Sequence, residues 1–119
     1  MTEKDIYRLF GETANYTDPD AFASDAALSL LDPDNPGQEV DMGLFEQLRI
    51  LWHVSNDPFK ALLDRMGMTQ SQCSRRFCVP LRTVQGWAGE TRSAPTYVRL
   101  MMAESVGLLD IRCHAPKAR

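Results

Sequence analysis

The sequence predicts an all-α fold, a small helical bundle that contains a helix-turn-helix and carries an additional N-terminal helical region. Apolar residues recur at helical spacing in successive segments, and proline, glycine or a capping residue bounds each segment. No stretch of useful length alternates apolar and polar residues as a strand does. At 119 residues, the chain suits one compact domain, or one domain with an extra lobe.

Two helices are predicted in the first part of the chain. The spacing of Ile6, Leu9 and Phe10 indicates a short helix that stops near Gly11. A second helix should begin at Asp18 and Pro19, because aspartate accepts hydrogen bonds from free amides and proline suits a first helical turn. Two prolines and a glycine in residues 32–37 must end this helix. Its expected apolar residues are Phe22, Ala26, Leu28 and Leu31.

Two further helices are predicted before residue 68. Asp41 is a candidate cap for the first, whose wide apolar face consists of Met42, Phe45, Leu48, Leu51 and Trp52. Asp57 and Pro58 repeat the pattern of a cap and a first-turn proline, so they should start another helix. Gly67 should close that helix, whose inward-facing residues are Leu62, Leu63 and Met66.

A helix-turn-helix is predicted at residues 69–88. Thr69 is a candidate cap for a helix over residues 69–77, which is too short to be stable alone and must pack on its neighbours. Pro80 has no amide hydrogen to donate, so the chain should turn at residues 78–80 and restart as a helix over residues 81–88. The spacing buries one side of both helices, formed by Cys73, Phe77, Val79, Val84 and Trp87.

A longer apolar helix should follow residues 93–95, and its apolar residues are Val98, Leu100, Met101 and Val106. Leu108 and Leu109 should complete the core, with a frayed tail at residues 110–119. The expected organisation is therefore an acidic helical region at residues 1–56, packed on or beside the core, and a helix-turn-helix domain at residues 57–109.

Charge is distributed unevenly along the chain, although the net charge is only −3. Residues 1–59 hold twelve acidic and three basic residues, which gives 3 − 12 = −9. Residues 60–119 hold ten basic and four acidic residues, which gives 10 − 4 = +6. A basic half favours an anionic partner. The charge alone is equally consistent with two halves that simply attract each other within the fold.

Four residues are left on the outer side of the second short helix: Arg82, Thr83, Gln85 and Gly86. Arginine can donate two hydrogen bonds to guanine, glutamine can pair bidentately with adenine, and glycine permits close approach. We therefore expect this helix to enter the major groove of double-stranded DNA and these residues to read bases. The plain alternative is a helical hairpin packed only for stability, with solvated arginines at Arg75, Arg76 and Arg82.

The same segment resembles a known family. Residues 69–77 (TQSQCSRRF), 78–80 (CVP) and 81–87 (LRTVQGW), followed by Gly89 and by Ala94 with Pro95, look like the helix-turn-helix of Cro and phage-repressor-type (Xre-like) regulators. The resemblance covers about residues 57–109. It implies a bacterial or phage-type transcriptional regulator.

The resemblance also implies residue roles. Base reading falls to Arg82, Thr83 and Gln85, with Val84 and Trp87 in the core, and Gln70 anchors to a backbone phosphate or supports the reading residues. The chain departs from the family pattern at Ser74, where a small apolar residue is common, and at Cys78, where glycine is usual. Because glycine tolerates a left-handed conformation, Cys78 implies either mild strain or a different turn.

Contacts to the DNA backbone are expected from the residues around the reading helix: Gln70, Arg75, Arg76 and Arg92. Cations there add affinity that is independent of sequence and falls with salt. Arg99 is equally consistent with a phosphate contact and with an exposed cation of no consequence.

The role of the N-terminal region stays open at this point. Its apolar faces, around Phe22, Leu28, Leu31, Phe45 and Trp52, either pad the core or form the interface of a homodimer or protein partner. Its acidic loop at residues 32–41 could instead shield the basic face. The alternative function is a protein-interaction module, antitoxin-like or inhibitory, that uses the helix-turn-helix as a scaffold and the acidic region as its partner surface.

Several other functions are disfavoured. The sequence holds no glycine-rich phosphate loop and no recognisable nucleophile–base pair, so we expect neither an enzyme nor a cofactor. Cys73 and Cys78 lack a second close pair of ligands, and Cys113 with His114 lies far along the chain, so we expect reduced thiols and no metal. His53 should be a helix-surface residue. Without an apolar leader or a membrane-spanning stretch, the protein is expected to be cytoplasmic.

Overall fold

Seven α-helices and no strand make up the part of the chain that the computed structural model describes, residues 3–31 and 42–109 together with Asp34 and Gly37. This confirms the all-α prediction. In chain order, the helices are α1 (Glu3–Glu12), α2 (Pro19–Ser29), α3 (Met42–Asn56), α4 (Phe59–Met66), α5 (Gln70–Phe77), α6 (Leu81–Ala88) and α7 (Thr96–Ser105), and a 3-10 turn (Thr13–Asn15) follows α1.

Local signals account for most of the helix ends. The side chain of Asp18 accepts a hydrogen bond from the amide of Asp20 at 3.2 Å, and Pro19 begins α2, as predicted. Gly67 ends α4 in the left-handed conformation, with φ 69°. The predicted cap at Asp41 lies outside the described residues, as do the tail at 110–119 and most of the loop at 32–41.

The prediction that Asp57 caps α4 is wrong. Its carboxylate lies 3.0 Å from Nδ1 of His53 and 3.6 Å from Nε of Arg65, and no side chain bonds to the first amides of α4. These two nitrogen groups hold the carboxylate away from the start of the helix. The same contact corrects the surface position expected for His53, whose side chain is only 21% exposed.

One apolar core contains residues from all seven described helices. Helix α3 connects the N-terminal region to the C-terminal part of the fold, because it packs against α1, α2 and the 3-10 turn and also against α7. Its buried residues are Leu48, Leu51 and Val54. Leu109 is buried and Leu108 half-buried, so the prediction that these leucines complete the core is confirmed.

A buried threonine ties the 3-10 turn to its neighbours. The hydroxyl of Thr13 donates to the carbonyl oxygen of Phe10 at 2.7 Å and is hydrogen-bonded to the hydroxyl of Ser55 in α3. Close by, Nε1 of Trp52 donates to the carbonyl oxygen of Tyr16 at 3.0 Å. Because an unpaired buried polar group is costly, these bonds specify how the N-terminal helices sit on α3.

Two N-terminal residues expected on inward faces point to solvent instead. Leu28 is 61% exposed and Met42 is 70% exposed. In α2 the buried face is centred on small residues, and at 100° per residue Leu28 lies on its opposite side. Helix α2 also ends at Ser29, so Leu31 lies beyond it. The buried residues of α2 are Phe22, Ala23, Ala26 and Ala27.

Candidate nucleic-acid interface

Two eight-residue helices joined by a short turn form the centre of the basic half. Helix α5 begins with a capping box, in which Oγ1 of Thr69 accepts from the amide of Gln72 at 3.1 Å and Oε1 of Gln72 accepts from the amide of Thr69 at 2.9 Å. The turn at residues 78–80 leads directly into α6. The predicted helix-turn-helix and its cap at Thr69 are therefore confirmed as structure.

The turn between α5 and α6 contains a non-glycine residue in a conformation that glycine adopts more easily. Cys78 ends α5 in the left-handed conformation (φ 55°, ψ 40°). This conformation costs a residue with a Cβ atom about 1–2 kcal/mol. Of the two alternatives left by the sequence, the structure has the strained one, with the left-handed geometry that glycine would adopt.

Ser74 supports this strained turn. Its hydroxyl donates to the carbonyl oxygen of Val79 at 2.6 Å, and its own carbonyl oxygen accepts from the amide of Val79 at 3.1 Å and from the amide of Cys78. Three hydrogen bonds therefore converge on Ser74 and hold the turn closed. The two departures from the family pattern are thus linked, since the serine at one position supports the cysteine at the other.

The inner sides of α5 and α6 are fixed by packing. Cys73 and Val84 are fully buried, and the ring of Trp87 meets the ring of Phe59 edge to face, with centroids 5.2 Å apart. Burial raises the pKa of the Cys73 thiol, so this thiol stays protonated near neutral pH. With one side anchored in this way, α6 presents its other side in a defined orientation.

The outer side of α6 carries Arg82 and Gln85, both exposed. They are three residues apart and therefore lie on the same face of the helix. Thr83 is half-buried at the edge of that face. The structure thus brings together the two long polar side chains predicted to read bases and places Thr83 at their margin.

Gly86 is half-buried, and a loop covers it. Helix α6 ends in a Schellman motif, in which the amide of Thr91 donates to the carbonyl oxygen of Gly86 at 3.0 Å and the amide of Glu90 donates to that of Trp87 at 3.3 Å. Glu90 occupies the left-handed position of this motif, with φ 62°. The close approach expected at Gly86 is therefore made by the protein's own loop, whereas the sequence reasoning assigned it to DNA.

Three arginines around α6 have no partner among the residues that the structure describes. Arg75, Arg82 and Arg92 are exposed, and in the described part of the chain none makes an ion pair or a side-chain hydrogen bond. They come from α5, from α6 and from the loop after α6. Free guanidinium groups on adjoining elements can neutralise phosphates without first losing a carboxylate partner.

Arg76 and Arg99, which also belong to the basic half, donate to carbonyl oxygens of the protein. Arg76 donates from Nη2 to the carbonyl oxygen of Ser105, the last residue of α7, at 3.2 Å. Arg99 donates to the carbonyl oxygens of Val54, at 3.4 Å, and of Asp57, and desolvation lowers its pKa, an effect that the charge of Asp57 opposes. Arg99 therefore joins α7 to the end of α3.

Gln70 is the first residue of α5 and is half-buried. It lies where the free amides of a helix start point outward, a position that favours an anion. Its predicted contact with phosphate stays a prediction.

Sequence reasoning missed the roles of Ser74 and Glu90. The sequence marks Ser74 only as a departure from the Xre-like pattern, because its hydrogen bonds form only when Cys78 turns the chain. Glu90 left no usable signal, since glycine, and not glutamate, marks left-handed positions. Non-glycine residues in this conformation cluster at functional sites, and among the described residues both of them flank α6.

Comparisons of the chain with protein families, curated proteins and solved structures give no significant match. Among the described residues, no three His, Cys, Asp or Glu side chains are placed to hold a metal ion. No helix in the same residues is long and apolar enough to cross a membrane.

Proposed function

We propose that this protein is a sequence-specific double-stranded DNA-binding protein of the cytoplasm, a transcriptional regulator that reads the major groove with α6. The observation that carries the proposal is the exposed Arg82–Gln85 face, without a partner in the described part of the chain, on a helix that is anchored from behind by Val84 and Trp87. An α-helix with its side chains is about 10–12 Å across. A helix of this diameter fits a major groove that is about 12 Å wide.

The proposed roles follow from position. Arg82 and Gln85 read bases, because they are long, exposed and on one face. Thr83, at the edge of that face, assists or touches phosphate. Arg75 and Arg92 position the DNA backbone as free cations.

Two further residues have weaker support as backbone contacts. Gln70 lies at the start of α5, where free backbone amides favour an anion, although its side chain is half-buried. Arg76 can contribute only while sharing its guanidinium with Ser105.

The alternative, a protein-interaction module that uses the acidic N-terminal region, has less support. Many of its described carboxylates are already bound within the protein. Asp25 accepts from the hydroxyl of Tyr16 at 2.8 Å, and the two described arginines of this region pair with other acidic side chains. A basic partner would have to displace these contacts. The exposed apolar side chains of Leu28 and Met42 favour an apolar contact at the N-terminal region, and not a contact with a basic surface.

The deciding experiment is selection from a random-sequence duplex pool at two salt concentrations, for the wild-type protein and for Arg82→Ala, with sequencing of the bound fraction. We expect an enriched motif that the variant loses at one base pair. If the protein acts as a symmetric dimer, the motif should be palindromic, with half-sites about 34 Å apart. Absence of binding even at low salt would contradict the proposal and favour a protein partner.

A further inference from the structure

Gly86 leaves a gap on the surface of α6 that another residue fills. Arg82 and Gly86 are four residues apart, so they lie one above the other on the same ridge of the helix. A Cβ atom at Gly86 would lie 3.3 Å from Cδ and 3.5 Å from Cγ of Arg92, and 3.4 Å from Oγ1 of Thr91. The stem of Arg92 therefore lies on the bare backbone of Gly86, one helical turn from Arg82.

Hydrogen bonds hold the loop in this place. The carbonyl oxygen of Gly86 accepts from the amide of Thr91 at 3.0 Å, from the amide of Arg92 at 3.2 Å and from the hydroxyl of Thr91 at 3.3 Å. Only the stem and the backbone of Arg92 are fixed in this way. Its guanidinium is exposed and has no partner among the described residues.

We propose that Gly86 is a positioning residue for DNA recognition: its missing side chain seats Arg92 on the α6 surface, in line with Arg82, where the guanidinium binds a phosphate. This inference rests on the proposed function, and it changes the role of Gly86. Gly86 acts on DNA through Arg92 and makes no contact with a base itself. The recognition surface is then built from α6 and its following loop as one unit.

The proposal predicts that Gly86→Ala weakens DNA binding without lowering the stability of the protein. Alanine is a better helix former than glycine, so Gly86→Ala should not unfold α6. Its Cβ atom would nevertheless lie 3.3 Å from Cδ of Arg92, tighter than ordinary contact distance, so the Arg92 side chain must give by a few tenths of an ångström, and we expect the loop to move outward with it. We therefore expect a variant that is at least as stable as the wild type but that has lost the contribution of Arg92 to binding.

The test measures affinity for a selected duplex at about 50 and 200 mM salt for the wild type, Gly86→Ala, Arg92→Ala and the double variant. Loss of one phosphate contact should reduce the log–log salt slope by about 0.9, which is a factor of about three to four between these salts. We expect Gly86→Ala to approach the slope of Arg92→Ala, and the double variant to equal Arg92→Ala alone. The matched control is Gly11→Ala in α1, where a Cβ atom would meet nothing within 4 Å.

A second measurement does not depend on DNA. Amide hydrogen exchange at Thr91 and Arg92 should be faster in Gly86→Ala than in the wild type, because both amides donate to the Gly86 carbonyl oxygen. Unchanged exchange would overturn the proposed displacement of the loop. A lowered melting temperature would also overturn it, since the loop would then be unable to move aside.

The outcomes separate this inference from the proposed function. If the wild type binds DNA and Gly86→Ala keeps the full affinity and salt slope, the positioning role is wrong and DNA binding stands. If the effects of Gly86→Ala and Arg92→Ala add in the double variant, Gly86 contacts DNA independently and the inference is again wrong. If the wild type binds no duplex, both proposals fail.

Discussion

The arginines of the N-terminal helices and the three exposed arginines around α6 have different surroundings. Each of the two described N-terminal arginines lies within ion-pair distance of two carboxylates: Arg49 of Asp20 (2.6 Å) and Glu46 (3.0 Å), and Arg8 of Asp5 (3.9 Å) and Glu12 (3.7 Å). Around α6, by contrast, Arg75, Arg82 and Arg92 have no partner among the described residues.

This difference shows that pairing, more than the number of charges, distinguishes the two regions. An arginine that already has a carboxylate must exchange it to bind a phosphate, so it gains little from a nucleic acid. An arginine without a partner gains the whole contact. Under the proposed function, the uneven charge along the sequence matters only where the fold leaves cations without a partner among the described residues.

Among the substitutions that test this contrast, Arg82→Ala should cause the largest loss of DNA affinity. Arg82→Ala should cost about 1–3 kcal/mol at one base pair of the selected site and relax specificity there, because a bidentate contact to a base is lost. Fluorescence anisotropy with the selected duplex and with single-base variants measures the cost. An equal loss on every duplex would contradict base reading.

The turn that presents α6 should be the next most sensitive feature. Ser74→Ala removes the hydrogen bond to the Val79 carbonyl oxygen and should lower the free energy of unfolding by about 0.5–1.5 kcal/mol. Cys78→Gly should raise it by up to about 1 kcal/mol, because glycine adopts the left-handed conformation without strain. Urea unfolding measures both. An unchanged midpoint for Ser74→Ala would mean that the turn does not need its serine.

A smaller effect should distinguish Arg75 from its neighbour Arg76. Arg75→Ala should weaken binding to all duplexes alike and reduce the log–log salt slope by about 0.9, since one phosphate contact is lost. Arg76→Ala should affect the melting temperature more and the salt slope less, because Arg76 already bonds to Ser105. Salt titrations and thermal unfolding of both variants provide the comparison. The reverse pattern would show that the contact to Ser105 opens when DNA binds.

The smallest effect is expected at Arg49. Arg49→Ala should leave the affinity for DNA and the salt slope unchanged, because this arginine is occupied by Asp20 and Glu46 in the N-terminal helices. It should lower the melting temperature slightly at low salt and less at high salt, since its ion pairs are partly exposed. A fall in DNA affinity comparable to that of Arg75→Ala would break the contrast between the two regions.

The helix-turn-helix was the most predictable part of the chain because its signals are local. Thr69 with Gln72 forms a capping box within one turn, and Pro80 ends one helix and permits the next, so both bounds of α6 were predicted. The sequence predicts a role for Gly86 and a role for Arg92, six residues apart. It does not predict their contact, because that contact depends on the left-handed turn at Glu90.

Longer-range features could not be predicted in the same way. The exposure of Leu28 depends on which side of α2 meets α3, which periodicity in a short helix containing several alanines does not decide. Asp57 had a good local partner in the first turn of α4, but His53 in the last turn of α3 and Arg65 in the last turn of α4 itself compete for its carboxylate. Such competition is decided by tertiary packing.

The most direct test of the central claim, that DNA binds at α6 and not at the N-terminal helices, is an amide NMR titration of the labelled protein with a selected duplex. We predict that the shifted signals concentrate in residues 70–76 and 81–92, while those of α1 and α2 stay in place. Shifts centred on α1 and α2, with residues 81–92 unaffected, would contradict the claim.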